Sequence, residues 1–209
     1  NYGLHQFIPT AEMVLFYQAI LDWAFEDEQI GLVIKPKKSH FLNTLPGIVD
    51  QIHKLENQTK RCILINNSFQ KMPNTYLDDI NVAIGLSVFF PSAVMECAVH
   101  GGRAVSYDYP NIRYHEPDLY KWGENKVIFP DLKMMLDTLK EYKNDPLSHP
   151  QLGDWSDKLH ELDPFCDEKG SQRIGTFIRW IQEGYNAGKE RDIIIESANK
   201  KYAESWGAD

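Results

Sequence analysis

"NVAIGLSVFFPSAVMECAVHGGRAVSYDY", residues 81–109, is the most apolar stretch of the chain, and its reading decides the fold. Val82, Ala83 and Ile84 open it as a buried strand would. Polar residues then enter: Ser87, Ser92 after Pro91, and Glu96, the one charged residue before His100. The pattern predicts a strand over "NVAIG", a loop over "LSVFFP" and a helix over "SAVMECAVHGG". Ser92 has the character of an N-cap, and Gly101 and Gly102 that of a terminator. Ala93, Val94, Met95, Cys97, Ala98 and Val99 make this helix apolar almost all round, so it is expected to be buried.

The same alternation extends outward in both directions. Residues 10–27 carry Met13, Phe16, Tyr17, Ile20, Leu21 and Ala24 at helical spacing, with Thr10 as the expected cap. Leu45, Ile48, Val49, Ile52 and Leu55 predict a second helix, and Leu132, Met135, Leu136 and Leu139 a third. Short apolar runs predict strands at "IGLVIK" (30–35), "RCILIN" (61–66), "NVAIG" (81–85), "RAVSYD" (103–108) and "KVIF" (126–129). Strands that are continuously apolar and alternate with helices imply a parallel sheet covered on both faces. The expectation is an α/β domain over residues 1–143, built as a doubly wound, Rossmann-like parallel sheet. Residues 144–209 form a C-terminal helical extension expected to pack on it. That extension begins as a polar excursion with a short helix at 155–162. Ile174, Phe177, Ile178 and Ile181 then make one helical face, Gly184 and Gly188 punctuate, and Ile195, Ala198 and Tyr202 make another.

Composition narrows the function. A net charge of −8 argues against a dedicated nucleic-acid binder, which needs a basic face. Three cysteines without CxxC spacing fit neither a disulfide framework nor a zinc site, and point to a reducing compartment. Cys62 and Cys97 read as core packing. Residues 82–99 are interrupted by Pro91, Glu96 and two serines and do not read as a membrane span. The start at Asn1 reads as the middle of something, so a fragment of a longer protein is expected.

In open α/β sheets, ligands bind at the carboxyl ends of strands, where loops lead into helix N-termini. The N-terminus of the 92–100 helix offers free N–H groups and a positive dipole end, suited to phosphate. Glu96 is the anomaly, because a carboxylate on a buried helix is costly unless paired. It lies one turn from Ser92, so both can face one crevice. Two readings stand: Ser87 and Ser92 near phosphates with Glu96 on ribose or sugar hydroxyls, or a capping serine with a salt-bridged glutamate. The seven histidines show no HxxxH or HxH spacing, and no metal site is expected.

The unit "DINVAIGLSVFFPSAVMECAVHGGRAVSYD" resembles the donor-binding half of GT-B glycosyltransferases, including those of bacterial surface polysaccharide biosynthesis. The resemblance covers about residues 10–142 as a topology. It implies a transferase domain that binds a nucleotide-sugar, with loop and helix N-terminus on the phosphates and the glutamate on hydroxyls. Carried onto this chain, those are Ser87, Ser92 and Glu96. The resemblance also implies metal-independent catalysis, no cofactor and a cytoplasmic place of work, peripheral to the inner face of the membrane where the acceptor is lipid-linked. The partners implied are a nucleotide-sugar donor, a glycan or lipid-linked acceptor, and an N-terminal GT-B half absent from this chain. The catalytic base belongs to that other half.

"VIKPKKSH" (33–40) places Lys35 and Lys37 at the carboxyl end of a strand, where relatives neutralise the diphosphate with a cation; the chain lacks their His-Pro form. A solvated basic turn is the other reading of those lysines. "INNSF" (65–69) fills the loop that often contacts the base in such folds, which nominates Asn67 and Ser68. Weaker candidates are Asp78 and Asp79 in an ordinary loop, His115 and Glu116 after the "RAVSYD" strand, and Arg173. Asp108 ends a strand, but alone it does not make a metal site. Two rival functions remain: a nucleotide-sugar epimerase or hydrolase, and a noncatalytic interaction domain of the same fold.

Overall fold

The computed structural model describes residues 8–36, 39–65, 73–87, 92–109 and 117–207. It is an α/β structure with parallel strands, divided into two compact units between Leu162 and Asp163. That division falls later than the 143/144 expected from the change in composition, because apolar residues within 145–162 belong to the first unit's core.

Helix α1 (Thr10–Glu26) buries Phe16, Leu21, Trp23 and Ala24. Thr10 is its first helical residue and not its cap; Pro9 holds the cap position with no side-chain bond. Proline costs little there, since its missing N–H is one that a helix start leaves unpaired in any case. Its carbonyl accepts from Met13 N–H at 3.1 Å. At the other end the Arg61 guanidinium Nη1 donates to the carbonyls of Ala24, Asp27 and Ile30 at 2.8, 3.0 and 2.6 Å. A cation placed there satisfies helix-end carbonyls and complements the negative end of the dipole.

Strand β1 (Leu32–Ile34), helix α2 (Ile48–Thr59) and strand β2 (Cys62–Leu64) form a β-α-β unit, with the strands parallel and Leu32 opposite Cys62. Ile48, Ile52 and Leu55 recur at helical spacing and bury one face of α2 against Leu32, Ile34, Leu64 and the Leu21–Ala24 side of α1. A 3-10 turn (Ser39–Thr44) leads into α2 and adds Leu42 to the same cluster.

The second sheet holds strands β3 (Ala83–Ser87), β4 (Ala104–Asp108) and β5 (Ile128–Phe129), all parallel and in chain order. The crossovers are helix α3 (Ser92–Val99) and helix α4 (Pro117–Gly123), and helix α5 (Leu132–Asn144) follows β5. Every residue of β4 is buried, as expected of a central strand paired on both edges. Its residues alternate between two clusters. Val105 and Tyr107 pack with Phe129, Phe16 and Trp23 of α1, and Met135, Leu136 and Leu139 of α5. Ala104 packs on the opposite face with Val94, Cys97 and Ala98 of α3, Tyr120 of α4, and Trp155. Asp131 caps α5 by accepting from Met134 N–H at 2.7 Å.

Residues 145–162 are pinned to this sheet. Gly153 accepts from Ala104 N–H and donates to Lys126, both at 2.9 Å, with φ +68°. Trp155 donates its indole N–H to Ala104 O at 2.8 Å. Arg103 Nη1 reaches Pro150 O at 3.0 Å and Leu152 O. A short 3-10 turn (Ser156–Lys158) and helix α6 (Leu159–Leu162) end the unit, where a single helix over 155–162 was expected.

The second unit is a hairpin of helix α7 (Gly170–Asn186) and helix α8 (Arg191–Trp206). Gly184 does not interrupt α7 but lets α8 approach: a Cβ there would sit 2.7 Å from Ile194 Cγ1. Gly188, with φ +68°, makes the turn. Ile174 and Ile178 on the expected apolar face of α7 are 62% and 50% exposed.

Candidate functional site

Strands β3 and β4 end side by side, at Ser87 and Asp108, on the carboxyl edge of the three-stranded sheet. Adjacent parallel strands carry register partners, here Ala83 with Ala104, Gly85 with Ser106, and Ser87 with Asp108. Residues two apart on a strand share a face. Ser106 and Asp108 are therefore in phase with Ala104 and lie on the side covered by α3 and α4. Both are buried, at 2% exposure. Asp108 Oδ2 accepts the Tyr120 hydroxyl at 2.7 Å, a buried pair that joins the end of β4 to α4. Among the described residues nothing pairs with Ser106 Oγ.

Helix α3 begins beside this edge and is built to stop abruptly. Gly101 adopts φ +83°, Gly102 N–H donates to Cys97 O at 2.9 Å, and Gly101 N–H to Ala98 O at 2.9 Å. That is the double bond pattern of a Schellman terminator, as Gly101 and Gly102 led one to expect. The expectation of burial all round is corrected. Val94, Cys97 and Ala98 are buried, Ser92 and Ala93 are exposed, and Glu96 is half-buried. The helix buries the face that packs on β3 and β4 and leaves its first residues exposed. Glu96 consequently keeps part of its hydration, and its presence on α3 is less costly than a fully buried carboxylate. Its charge is still felt: burial, and after it Glu96, pushes the Cys97 thiol up to about 11. Burial, with Glu56 second, does the same to Cys62.

Ser92 is the first helical residue of α3 and is exposed, in the first turn, whose N–H groups have no partner within the helix. Ser87 ends β3 opposite Asp108. Lys35 follows β1 in the two-stranded sheet and is half-buried. Ser87, Ser92 and Glu96 belong to the β3-α3-β4 unit, while Lys35 follows β1 in the other sheet. Lys37, Asn67, Ser68, His115 and Glu116 lie outside the described residues. Asp78 and Asp79 close a 3-10 turn (Pro73–Asp79) ahead of β3, and no cluster of metal-ligating side chains occurs among the described residues. Arg173 is engaged structurally: its guanidinium makes two 2.9 Å bonds to Asp167 and lies 3.7 Å from the centre of the Phe165 ring.

Sequence reasoning passed over Ser106 and the Asp108–Tyr120 pair. Period two along "AVSYD" was enough to place 104, 106 and 108 on one face; the pairing with Tyr120 needed the path of the chain into α4. Chemically, a helix start offers N–H donors suited to an anion, and the Asp108 carboxylate at the end of β4 suits a hydroxyl donor. No protein-family model, curated protein or solved structure matches the chain, so this geometry alone carries the functional argument.

Proposed function

We propose that this chain is the donor-binding half of a GT-B-type glycosyltransferase of surface-glycan biosynthesis, acting on a nucleotide-sugar. The observation that carries the reading is the β3-α3-β4 unit: parallel strands whose carboxyl edge holds Ser87 and Asp108 in register, with the first turn of α3 at the exposed Ser92. In this reading the two parallel sheets belong to one doubly wound, Rossmann-like arrangement. The diphosphate sits at the start of α3, with Lys35 and Lys37 supplying positive charge, and Glu96 takes ribose or sugar hydroxyls. Asn67 and Ser68 are assigned in this reading to recognition of the base. Stabilisation of the departing nucleotide by these groups lowers the transfer barrier without a metal. The acceptor site and the catalytic base belong to an N-terminal GT-B half, on the cytoplasmic side of the membrane.

Thermal melting with UDP, GDP, CDP and CMP, each against its nucleoside, tests the reading. A ligand at a hundredfold excess over Kd stabilises the native state by about 2.7 kcal/mol, a rise of several degrees. One nucleotide should raise the midpoint, Glu96→Ala should reduce that rise, and the chain alone should transfer no sugar. A cooperative melt unmoved by all four nucleotides would replace this reading with a noncatalytic interaction domain.

A further inference from the structure

The α3-facing side of the three-stranded sheet changes character toward its carboxyl edge. Ala83 and Ala104, the first register pair, pack into the apolar cluster beneath α3. At the second pair β3 contributes Gly85, with no side chain, and β4 contributes the Ser106 hydroxyl. Next on the same face of β4 comes Asp108, held by Tyr120. An alanine at 106 would continue the apolar surface and remove the cost of burying a hydroxyl that nothing pairs with among the described residues. Buried polar groups are paired as a rule, and sites that break a local rule for stability are where function is to be sought. The partner for Ser106 is narrowed by its neighbour. A carboxylate repels a phosphate oxygen and attracts a hydroxyl, so the anion belongs at the helix start and a hydroxyl-bearing group belongs here.

We infer that Ser106 and Asp108 form a diol-recognising subsite of the ligand-binding edge. One hydroxyl of a vicinal pair donates to the Asp108 carboxylate, the other accepts from Ser106 Oγ–H, and Tyr120 positions Asp108 from behind. Burial makes such bonds strong, because water competes poorly for them. The inference rests on the donor-binding reading above. The diol can come from the ribose or from the transferred sugar.

Calorimetric titration of the full chain separates these sources. UDP, GDP and CDP are each compared with the 2′,3′-dideoxy form, and then with UDP-glucose, GDP-mannose and CDP-glucose. A preference over the dideoxy form assigns the subsite to ribose; a preference for the conjugate assigns it to the sugar. Ser106→Ala should weaken binding of the preferred ligand about tenfold while leaving the diol-free form unchanged. The same variant, without ligand, should melt roughly 2–4 °C higher than the wild type. Asp108→Asn should lose the same preference. Ser106→Ala binding with wild-type affinity, or melting lower than wild type, overturns the subsite while leaving donor binding intact. Absence of binding to the wild-type chain by every probe overturns the donor reading and the subsite together.

Discussion

A guanidinium buried at the start of α7 needs a counter-charge, and Arg173, 5% exposed, finds it in Asp167. Asp167 is held at both oxygens by Arg173, and one oxygen also accepts from Lys169 N–H at 3.0 Å. These bonds, led by the one from Arg173, bring its carboxyl down to about 2. A carboxyl depressed in the folded state stabilises the fold above its ordinary pKa, about 4 in an unfolded chain. That contribution disappears as pH falls from there through the folded value. Asp167→Asn should therefore melt below wild type at pH 7, and the difference should shrink between pH 4 and pH 2. Circular dichroism melts across that range check it; a difference independent of pH would assign the stability of this turn to Phe165 packing alone. A lone charge among apolar letters, such as Glu96, reads as buried, yet the exposure of a helical residue depends on how many neighbours cover the helix, which no single residue encodes.

At the scale of elements, period and punctuation were informative where they were strong. The helical spacing of Ile48, Ile52 and Leu55 placed α2, and the "GG" after Val99 placed the end of α3, because both are local consequences of side-chain phase and backbone conformation. α4 went unread, since a seven-residue helix has too few turns to show a period. The expected cap at Thr10 failed because Pro9 already fixes the entry conformation. The candidate site was legible as a strand–loop–helix with polar residues at the junction; its buried layer was not, since Tyr120 joins Asp108 through tertiary approach. Two glycines allow the local rules to be tested in opposite directions. Gly101 at φ +83° should not tolerate a side chain, whereas a Cβ on Gly175, inside α7, meets nothing within 4 Å. Gly101→Ala should cost about 1 kcal/mol, and Gly175→Ala should add about 0.5–1 kcal/mol, both by urea denaturation. Equal effects from the two would mean that the Gly101 turn relaxes without strain.

For the molecule as a whole, order should be graded. β4 is paired on both edges and buried along its length. The described helices α7 and α8 bury only Arg173, Ile194 and Ala198. Local stability follows buried contact, so amide hydrogen exchange should be slowest over Ala104–Asp108 and faster through α7 and α8. Protection in the hairpin equal to that of β4 would show that the two units open as one. The polar run that begins near residue 143 still belongs to the first unit, because its Leu152 and Trp155 are buried in that unit's core. That burial has a consequence in time. Trp155 closes on the carbonyl of Ala104 across 51 residues of chain. At synthesis rates of about 5–20 residues per second, roughly 3–10 s separate the emergence of the two. Through that interval Val94, Cys97, Ala98 and Ala104 lack their indole cover, the kind of transiently exposed apolar surface that makes a nascent chain prone to aggregate.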